Sequence, residues 1–440
     1  MAKGNGSPRA ATRTAAPEAN AARTPVAYGD TRLPAPLRTL LDRLDVSAMD
    51  FSGSVHLRLV AEPDGAWDVD IRHEDAKVRP ARTRQVPEAT LSADLATWTQ
   101  IAGDVGGAMG AFRAGRLVVR HNLHTGIGFL AATNGDRRST RLQFDSVETP
   151  AGRISVVGAG AGDPLLLIHG LGATKGSFLT TLAALAPAFR VVALDLPGFG
   201  DSYKPLRASF DARFFAHAVV ATLDALGIER AHLVGNSLGG RIALEVGLHY
   251  PQRVGRLGLL APSLAWRRER PWAPLVRALR PELGLIQLTP RWAVEGFVHR
   301  LLPAATNTWV RAGVDEFLRA YLTPRGRVAF YAAARQIYLE EPHGAAGFWT
   351  RLAHLEPRAL FVWGKQDRLV PIGFAAHVKQ TLPSARHLEL DCGHVPQLER
   401  PQETHTALAA FLRAAPLSSI TPTPYNAVLR RLVEDVAPPE

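Results

Sequence analysis

The stretch HLVGNSLGGRIALEV, residues 232–246, constrains this chain more than any other. An apolar run ends at Ser237, which is set among Gly235, Gly239 and Gly240, and a helical pattern follows at once. A strand that turns straight into a helix needs a sharp backbone reversal. Glycines on both sides let the neighbouring chain pass without a Cβ. In that setting Gly-x-Ser-x-Gly lifts the hydroxyl out of the turn as a candidate nucleophile, and the following helix aims free amides at the same point. A serine hydroxyl is weak by itself, so the reading requires a base and a carboxylate elsewhere.

Both are found, in the order serine, acid, histidine that this architecture uses. The segment FVWGKQDRLVP (361–371) places Asp367 just beyond a buried-looking strand. The segment LELDCGHVPQLERP (388–401) places His394 in the loop after another. Taken singly, His394 reads as a surface histidine and Asp367 as a turn former. Together, at three strand ends, they read with Ser237 as a catalytic triad. Asp391 competes as the acid, but it stands too near His394 in sequence to reach the far ring nitrogen comfortably.

From 141 to 415 strands alternate with helices, the pattern of a largely parallel sheet. Strands are expected over 153–160, 164–170, 190–196, 231–235, 254–262, 359–364 and 385–390, and helices over 214–227 and 239–250. The residues between about 263 and 355 are too many for a simple connection and read as an inserted helical lid. The segments LLIHGLGATKGSF, VVALDLPGFGDS, LVGNSLGG, LFVWGKQDRLVP and CGHVPQLERP resemble the signature segments of the α/β-hydrolase superfamily. The resemblance implies an α/β fold with a mostly parallel sheet and a helical lid. An oxyanion hole needs two backbone amides. One is Leu238, after the nucleophile, and the resemblance supplies the other, Leu171, with Gly170 and Gly172 allowing close approach. His169 reads as a brace for that loop. Asp195 and Asp201 in DLPGFGDS read as acids that fix a tight loop, and Asn236 as support for the serine turn.

The N-terminal third is different. Residues 1–35 read as unstructured, being small, polar and punctuated by proline. Residues 36–135 read as a small α+β domain. Its helix is LRTLLDRLD, its strands SVHLRLV and WDVDI joined through DGAW, and ATLSADLATWTQIAGD and AMGAFRAGRLVVR follow. This order resembles the sterol carrier protein type two family, which implies an apolar tunnel for an acyl chain or sterol. The competing reading is an unrelated α+β domain with a filled core. A boundary at 135–141 predicts a separable module: deleting 1–135 should lower fatty-acid binding and spare hydrolysis of a short ester. The tail, 416–440, reads as a linker and a short amphipathic helix.

Composition narrows the partners. The single cysteine, Cys392, excludes intramolecular disulfides and cysteine-built metal sites. The net charge of +11 is nearly all arginine. With no zinc-finger spacing and no long basic run, nucleic acid is not an expected partner. Attraction to an anionic membrane surface stays open, and WRRERPW (266–272) is its candidate contact. No run of eighteen apolar residues and no apolar secretory block occur, so a cytoplasmic location, at most peripheral to a membrane, is expected. The expected chemistry is acyl transfer to water, for which no metal or organic cofactor is needed. The favoured substrates are lipid-like or other apolar esters. Dienone C–C bond hydrolysis is an alternative, although the relatives it resembles carry an aromatic residue where Val395 stands. A non-enzymatic lipid carrier is the third reading.

Overall fold

The computed structural model describes residues 23–414, apart from 83, 105–107, 135–141 and several short stretches between 267 and 307. Most of the expected N-terminal leader, the tail from 415 and most of WRRERPW lie outside the described residues.

The N-terminal unit is a six-stranded sheet. Its strands are β1 (Val26–Ala27), β2 (Ser54–Glu62), β3 (Gly65–Arg72), β4 (Ala76–Pro80), β5 (Ala89–Asp94) and β6 (Val118–Arg120), in the order β1-β4-β3-β2-β5-β6. In β2 the buried residues alternate, Val55, Leu57 and Leu59 facing one side. That is the period-two signature of a half-buried strand. The unstructured leader ends earlier than the expected residue 35, because Val26 and Ala27 already pair with Ala76 and Lys77. Helices α1 (Ala35–Leu41), α2 (Leu95–Gly103), α3 (Ala108–Arg113) and α4 (Leu123–Ala132) accompany this sheet. Trp98, Phe112 and Phe129 are buried in its core.

Helix α4, over residues to which the sequence reading assigns no element, joins the two halves of the chain. Nine of its ten residues are buried, all but His124, and a helix apolar on every side has to be covered on every side. Gly126 lies against Val119 of β6, while Gly128 faces Phe144 and Met49. Phe144 belongs to the second sheet, so one continuous core runs from Leu37 through Phe129 to Phe178 and Leu412. The expected separability at 135–141 is therefore corrected. Cutting there would expose both faces of a shared core.

The second sheet has eight strands: β7 (Gln143–Thr149), β8 (Gly152–Ala159), β9 (Asp163–Ile168), β10 (Phe189–Leu194), β11 (Ala231–Asn236), β12 (Val254–Leu260), β13 (Arg358–Gly364) and β14 (Arg386–Leu390). Their order is β14-β13-β12-β11-β9-β10-β8-β7. β7 and β8 are antiparallel to their neighbours, and the other pairings are parallel. Helices α5 (Leu179–Leu185), α6 (Ala212–Ala225) and α7 (Leu238–His249) follow β9, β10 and β11. Between β12 and β13 lies a cap of helices that includes α8 (Ala273–Ala278), α9 (Thr308–Tyr321), α10 (Pro324–Leu339) and α11 (Phe348–Leu352). α12 (Gly373–Thr381), α13 (Pro396–Glu399) and α14 (Pro401–Arg413) complete the described fold. Among the described residues, no helix is long and apolar enough to cross a membrane.

The strand that leads to Ser237 carries a titratable group in its core. Neither ring nitrogen of His232 has a hydrogen-bond partner among the described residues. Burial pulls its pKa down from 6.5 to about 4. A folded-state pKa below the unfolded one means stability is full above pH 6.5 and is lost as pH falls toward 4. By pH 5 this histidine costs about 2 kcal/mol. The drop in thermal midpoint between pH 7 and pH 5 should therefore shrink in His232→Leu. An unchanged drop would remove His232 from the acid response.

Candidate active site

The loops that leave β9, β10, β11, β13 and β14 gather at the carboxyl edge of the parallel strands, where open α/β sheets place their sites. Ser237 sits between β11 and α7 with φ 54° and ψ −117°, a conformation that side chains rarely adopt and that costs of order 1–3 kcal/mol. It occupies the N-cap position of α7, yet its side chain makes no capping hydrogen bond. Helix capping, the usual structural use of serine here, does not account for it. A Cβ on Gly235 would stand 2.2 Å from the Gly239 carbonyl oxygen, and one on Gly239 would stand 2.0 Å from that of Ile168. Both glycines are thus dictated by backbone packed against backbone.

Asp367 follows β13 in a turn it stabilises itself. Its Oδ1 accepts hydrogen bonds from the Leu369 and Val370 amides at 2.8 and 2.9 Å. Its other oxygen, Oδ2, lies 2.7 Å from His394 Nδ1. The carboxylate side chain is fully buried. Asp391 points elsewhere and accepts from the side-chain Nε2 of Gln366 at 2.8 Å. His394 is held on three sides. Asn236 Nδ2 donates to its carbonyl at 3.1 Å, which ties the histidine loop to the residue beside Ser237. Glu399 accepts from the Gly393 and Val395 amides at 2.7 and 2.9 Å, clamping both neighbours of the histidine. Among the described residues no hydrogen bond joins the Ser237 hydroxyl to the imidazole. The structure thus brings Asp367 and His394 into contact and sets their loop against the serine turn.

The loop after β9 supplies the other wall. A Cβ on Gly170 would stand 3.2 Å from the Ser237 Cβ, so the loop lies directly beside the serine. Neither the Leu171 nor the Leu238 backbone N–H donates a hydrogen bond to another of the described residues. His169 is fully buried; its Nδ1 donates to the Gly170 carbonyl at 2.7 Å and its Nε2 accepts from the Leu196 amide at 3.0 Å. Burial holds its pKa below the ordinary histidine value, as a neutral brace requires. Cys392 is near, but burial pushes its thiol up to about 12, which leaves no thiolate to compete.

The acids of DLPGFGDS do fix the loop, through a partner that sequence reasoning missed. Lys175 is buried and donates from Nζ to Asp195 at 2.6 Å and to Asp201 at 3.1 Å. Asp195 also accepts from the Lys175 and Asp201 amides. Burial alone would depress the Lys175 ammonium; the two carboxylates outweigh it and raise its pKa. The tie from Asn236 to the histidine loop and the clamp by Glu399 likewise lie beyond the sequence reading, which has Asn236 only as support for the serine turn. The one sequence signal for Glu399 was an acid in the first turn of a proline-started helix.

The cap closes over this edge with apolar groups. Gly172, at φ 73°, leaves no room for a Cβ, which would fall 2.7 Å from the Phe317 ring of α9 and 3.2 Å from Phe330 of α10. Phe317, Tyr321 and Phe330 pack together with ring centroids 5.1–5.7 Å apart.

A family model for the alpha/beta hydrolase fold matches residues 163–401. The dihydrolipoyllysine-residue acetyltransferase component of the acetoin cleaving system of Cupriavidus necator is 33% identical over 279 residues, 61% of this chain and 68% of that protein. The 2-hydroxy-6-oxo-6-phenylhexa-2,4-dienoate hydrolase of Comamonas testosteroni is 28% identical over 261 residues, 58% of this chain and 89% of its own. A bacterial membrane phospholipase A superposes with a TM-score of 0.53 at 27% identity and covers 73% of this chain and 99% of that one.

Proposed function

We propose that this chain, which belongs to the alpha/beta hydrolase fold family, is a serine hydrolase that cleaves carboxylic esters of lipid-like or other apolar substrates. His394 takes the Ser237 proton as the hydroxyl oxygen attacks the ester carbonyl, then gives it to the departing alcohol oxygen. Asp367 fixes the tautomer with Nδ1 protonated and stabilises the imidazolium. The Leu171 and Leu238 amides receive the negative charge that develops on the carbonyl oxygen. Water then repeats the sequence on the acyl-enzyme and releases the acid. No metal or organic cofactor enters this scheme. The observation that carries the reading is the 2.7 Å pair of Asp367 and His394, on a loop pinned to the residue beside a strained serine.

The apolar cover of Phe317 and Phe330 supports a lipid-like acyl group over a polar one. So does the phospholipase A likeness, which takes in more of this chain than the matches to the acetyltransferase and the dienoate hydrolase. The N-terminal domain enters this reading as a lipid-binding module, on the strength of its sterol-carrier resemblance. The cap supports contact with an anionic membrane. Leu275, Leu283, Leu285, Ile286 and Trp292 are exposed there, Trp292 by 76%, and the exposed side chains of Arg277 and Arg280 accompany them. Apolar groups beside arginines suit an anionic lipid surface.

Dienone cleavage stays as a second reading because a dienoate hydrolase is among the relatives; Val395 in place of an aromatic residue stands against it. One panel separates the two: p-nitrophenyl esters of rising acyl length together with a 2-hydroxy-6-oxodienoate. Turnover of the longer esters at least about a hundredfold above the dienoate is expected, and the reverse order would move the assignment to C–C cleavage. The longest ester is also presented in phosphatidylcholine vesicles with and without phosphatidylglycerol. Several-fold faster hydrolysis with the anionic lipid is expected, and equal rates would remove the membrane contact.

A further inference from the structure

The boundary between the N-terminal domain and the cap is built of charge. Arg120, at the end of β6, donates from Nε and Nη2 to the two oxygens of Asp315 on α9, at 2.6 and 3.2 Å. His121 follows at φ 73°, rare for a residue with a side chain, and its amide donates to Asp315 at 3.3 Å. The Leu123 amide, at the open N-terminus of α4, donates to Glu316 at 2.5 Å. The side chains of Asp315 and Glu316 are each only 4% exposed. Two carboxylates buried next to each other on one helix need such partners, since an unpaired buried charge costs several kcal/mol.

The chain of charge continues to the catalytic edge. Glu316 accepts from Arg319 at 2.9 Å, and Arg319 donates to Asp201 at 2.7 and 3.2 Å. Asp201 meets Lys175, which meets Asp195, the residue before the Leu196 amide that binds His169. Burial would lift the Asp315 and Asp201 carboxyls, but the arginines and the lysine around them hold both below the ordinary range. The far end of the cap is tied separately, Arg241 of α7 donating to Glu340 at 2.9 and 3.0 Å. Phe317 is the residue after Glu316, and it is the ring that lies on Gly172.

We infer that the N-terminal domain positions the cap for the reaction. Arg120 and the amides of His121 and Leu123 hold α9 so that Phe317 closes over the loop of Leu171, and this contact sets the preference for long acyl chains. The inference gives the domain a role beyond lipid binding, and its activity readout rests on the ester-hydrolase reading. These are positioning groups, remote from the reacting atoms. Their loss should therefore act through the binding of a chain that reaches the aromatic wall, raising KM with kcat nearly kept.

Asp315→Asn is the cleanest probe, because it removes the buried charge, 4% exposed, while keeping a side chain of the same size that can still hydrogen-bond. Full-length Asp315→Asn, Arg120→Met, Arg120→Lys and the Asp315→Asn/Arg120→Met pair are assayed on p-nitrophenyl acetate and octanoate. The octanoate-to-acetate ratio of kcat/KM should fall about tenfold in each of Asp315→Asn and Arg120→Met, mainly through KM. The double variant should be no worse than either single change, and Arg120→Lys should recover part of the ratio. Hydrogen exchange across 308–321 should quicken in the same variants while that of 238–249 stays as it was. A ratio within twofold of wild type, an equal loss on both esters, or unchanged exchange in α9 would each overturn the inference. A wild-type chain inert toward both esters would instead count against the hydrolase reading, and exchange would still judge the clamp. If Arg120→Met does not fold, Asp315→Asn and Arg120→Lys decide.

Discussion

Ser237→Ala is expected to lower ester turnover by about six orders of magnitude, as loss of the nucleophile does in serine hydrolases whose triad acts as a unit. The fold should not notice. The hydroxyl makes no capping hydrogen bond to α7, and alanine keeps the Cβ that lies 3.2 Å from where a Gly170 Cβ would stand. A serine kept for capping would instead cost about 1 kcal/mol of stability on truncation. Paired measurements of kcat and thermal midpoint therefore separate the two roles. Turnover that survives within about tenfold, or a midpoint that falls by several degrees with turnover intact, would place the serine in the scaffold.

The second large effect belongs to Asp367→Asn, for which a loss of about four orders of magnitude in kcat is expected. The geometry says why an isosteric change is so severe. Oδ1 serves the Leu369 and Val370 amides, so an asparagine must put its carbonyl oxygen there and its NH2 group toward His394. The imidazole then has to accept at Nδ1 and carry its proton on Nε2, which leaves no lone pair to take the serine proton. The turn itself survives, so the midpoint should hold. Asp391→Asn, whose carboxylate faces Gln366, should stay within about twofold of wild type. If Asp391→Asn were the damaging change and Asp367→Asn were mild, the acid would have to be reassigned.

How far these residues could be read in the sequence follows from how each signal arises. Ser237, Asp367 and His394 each end a short apolar run, and strand, turn and polar residue lie within a dozen positions of one another. Local chemistry suffices there, as it does for the alternation of β2. The groups that hold them were hidden because their partners are far away in the chain. Asn236 supports its own turn, but it also binds a carbonyl 158 residues on. Lys175 reads as an ordinary loop lysine until folding sets it between Asp195 and Asp201. Arg120 and Asp315 are separated by 195 residues. Helix α4 escaped for a different reason. It is buried on every side, so LHTGIGFLAA lacks the polar stripe by which helical periodicity is recognised. The same burial joins two halves that composition presents as separate domains.

The most direct test is to treat the full-length protein with a fluorophosphonate and map the modified residue by peptide mass spectrometry. The triad requires one phosphonate per chain, on the Ser237 oxygen, formed far more slowly once Asp367 is replaced by asparagine. A phosphonate on any other side chain, or equal labelling of Ser237→Ala, would contradict the assignment of this serine as the reacting group.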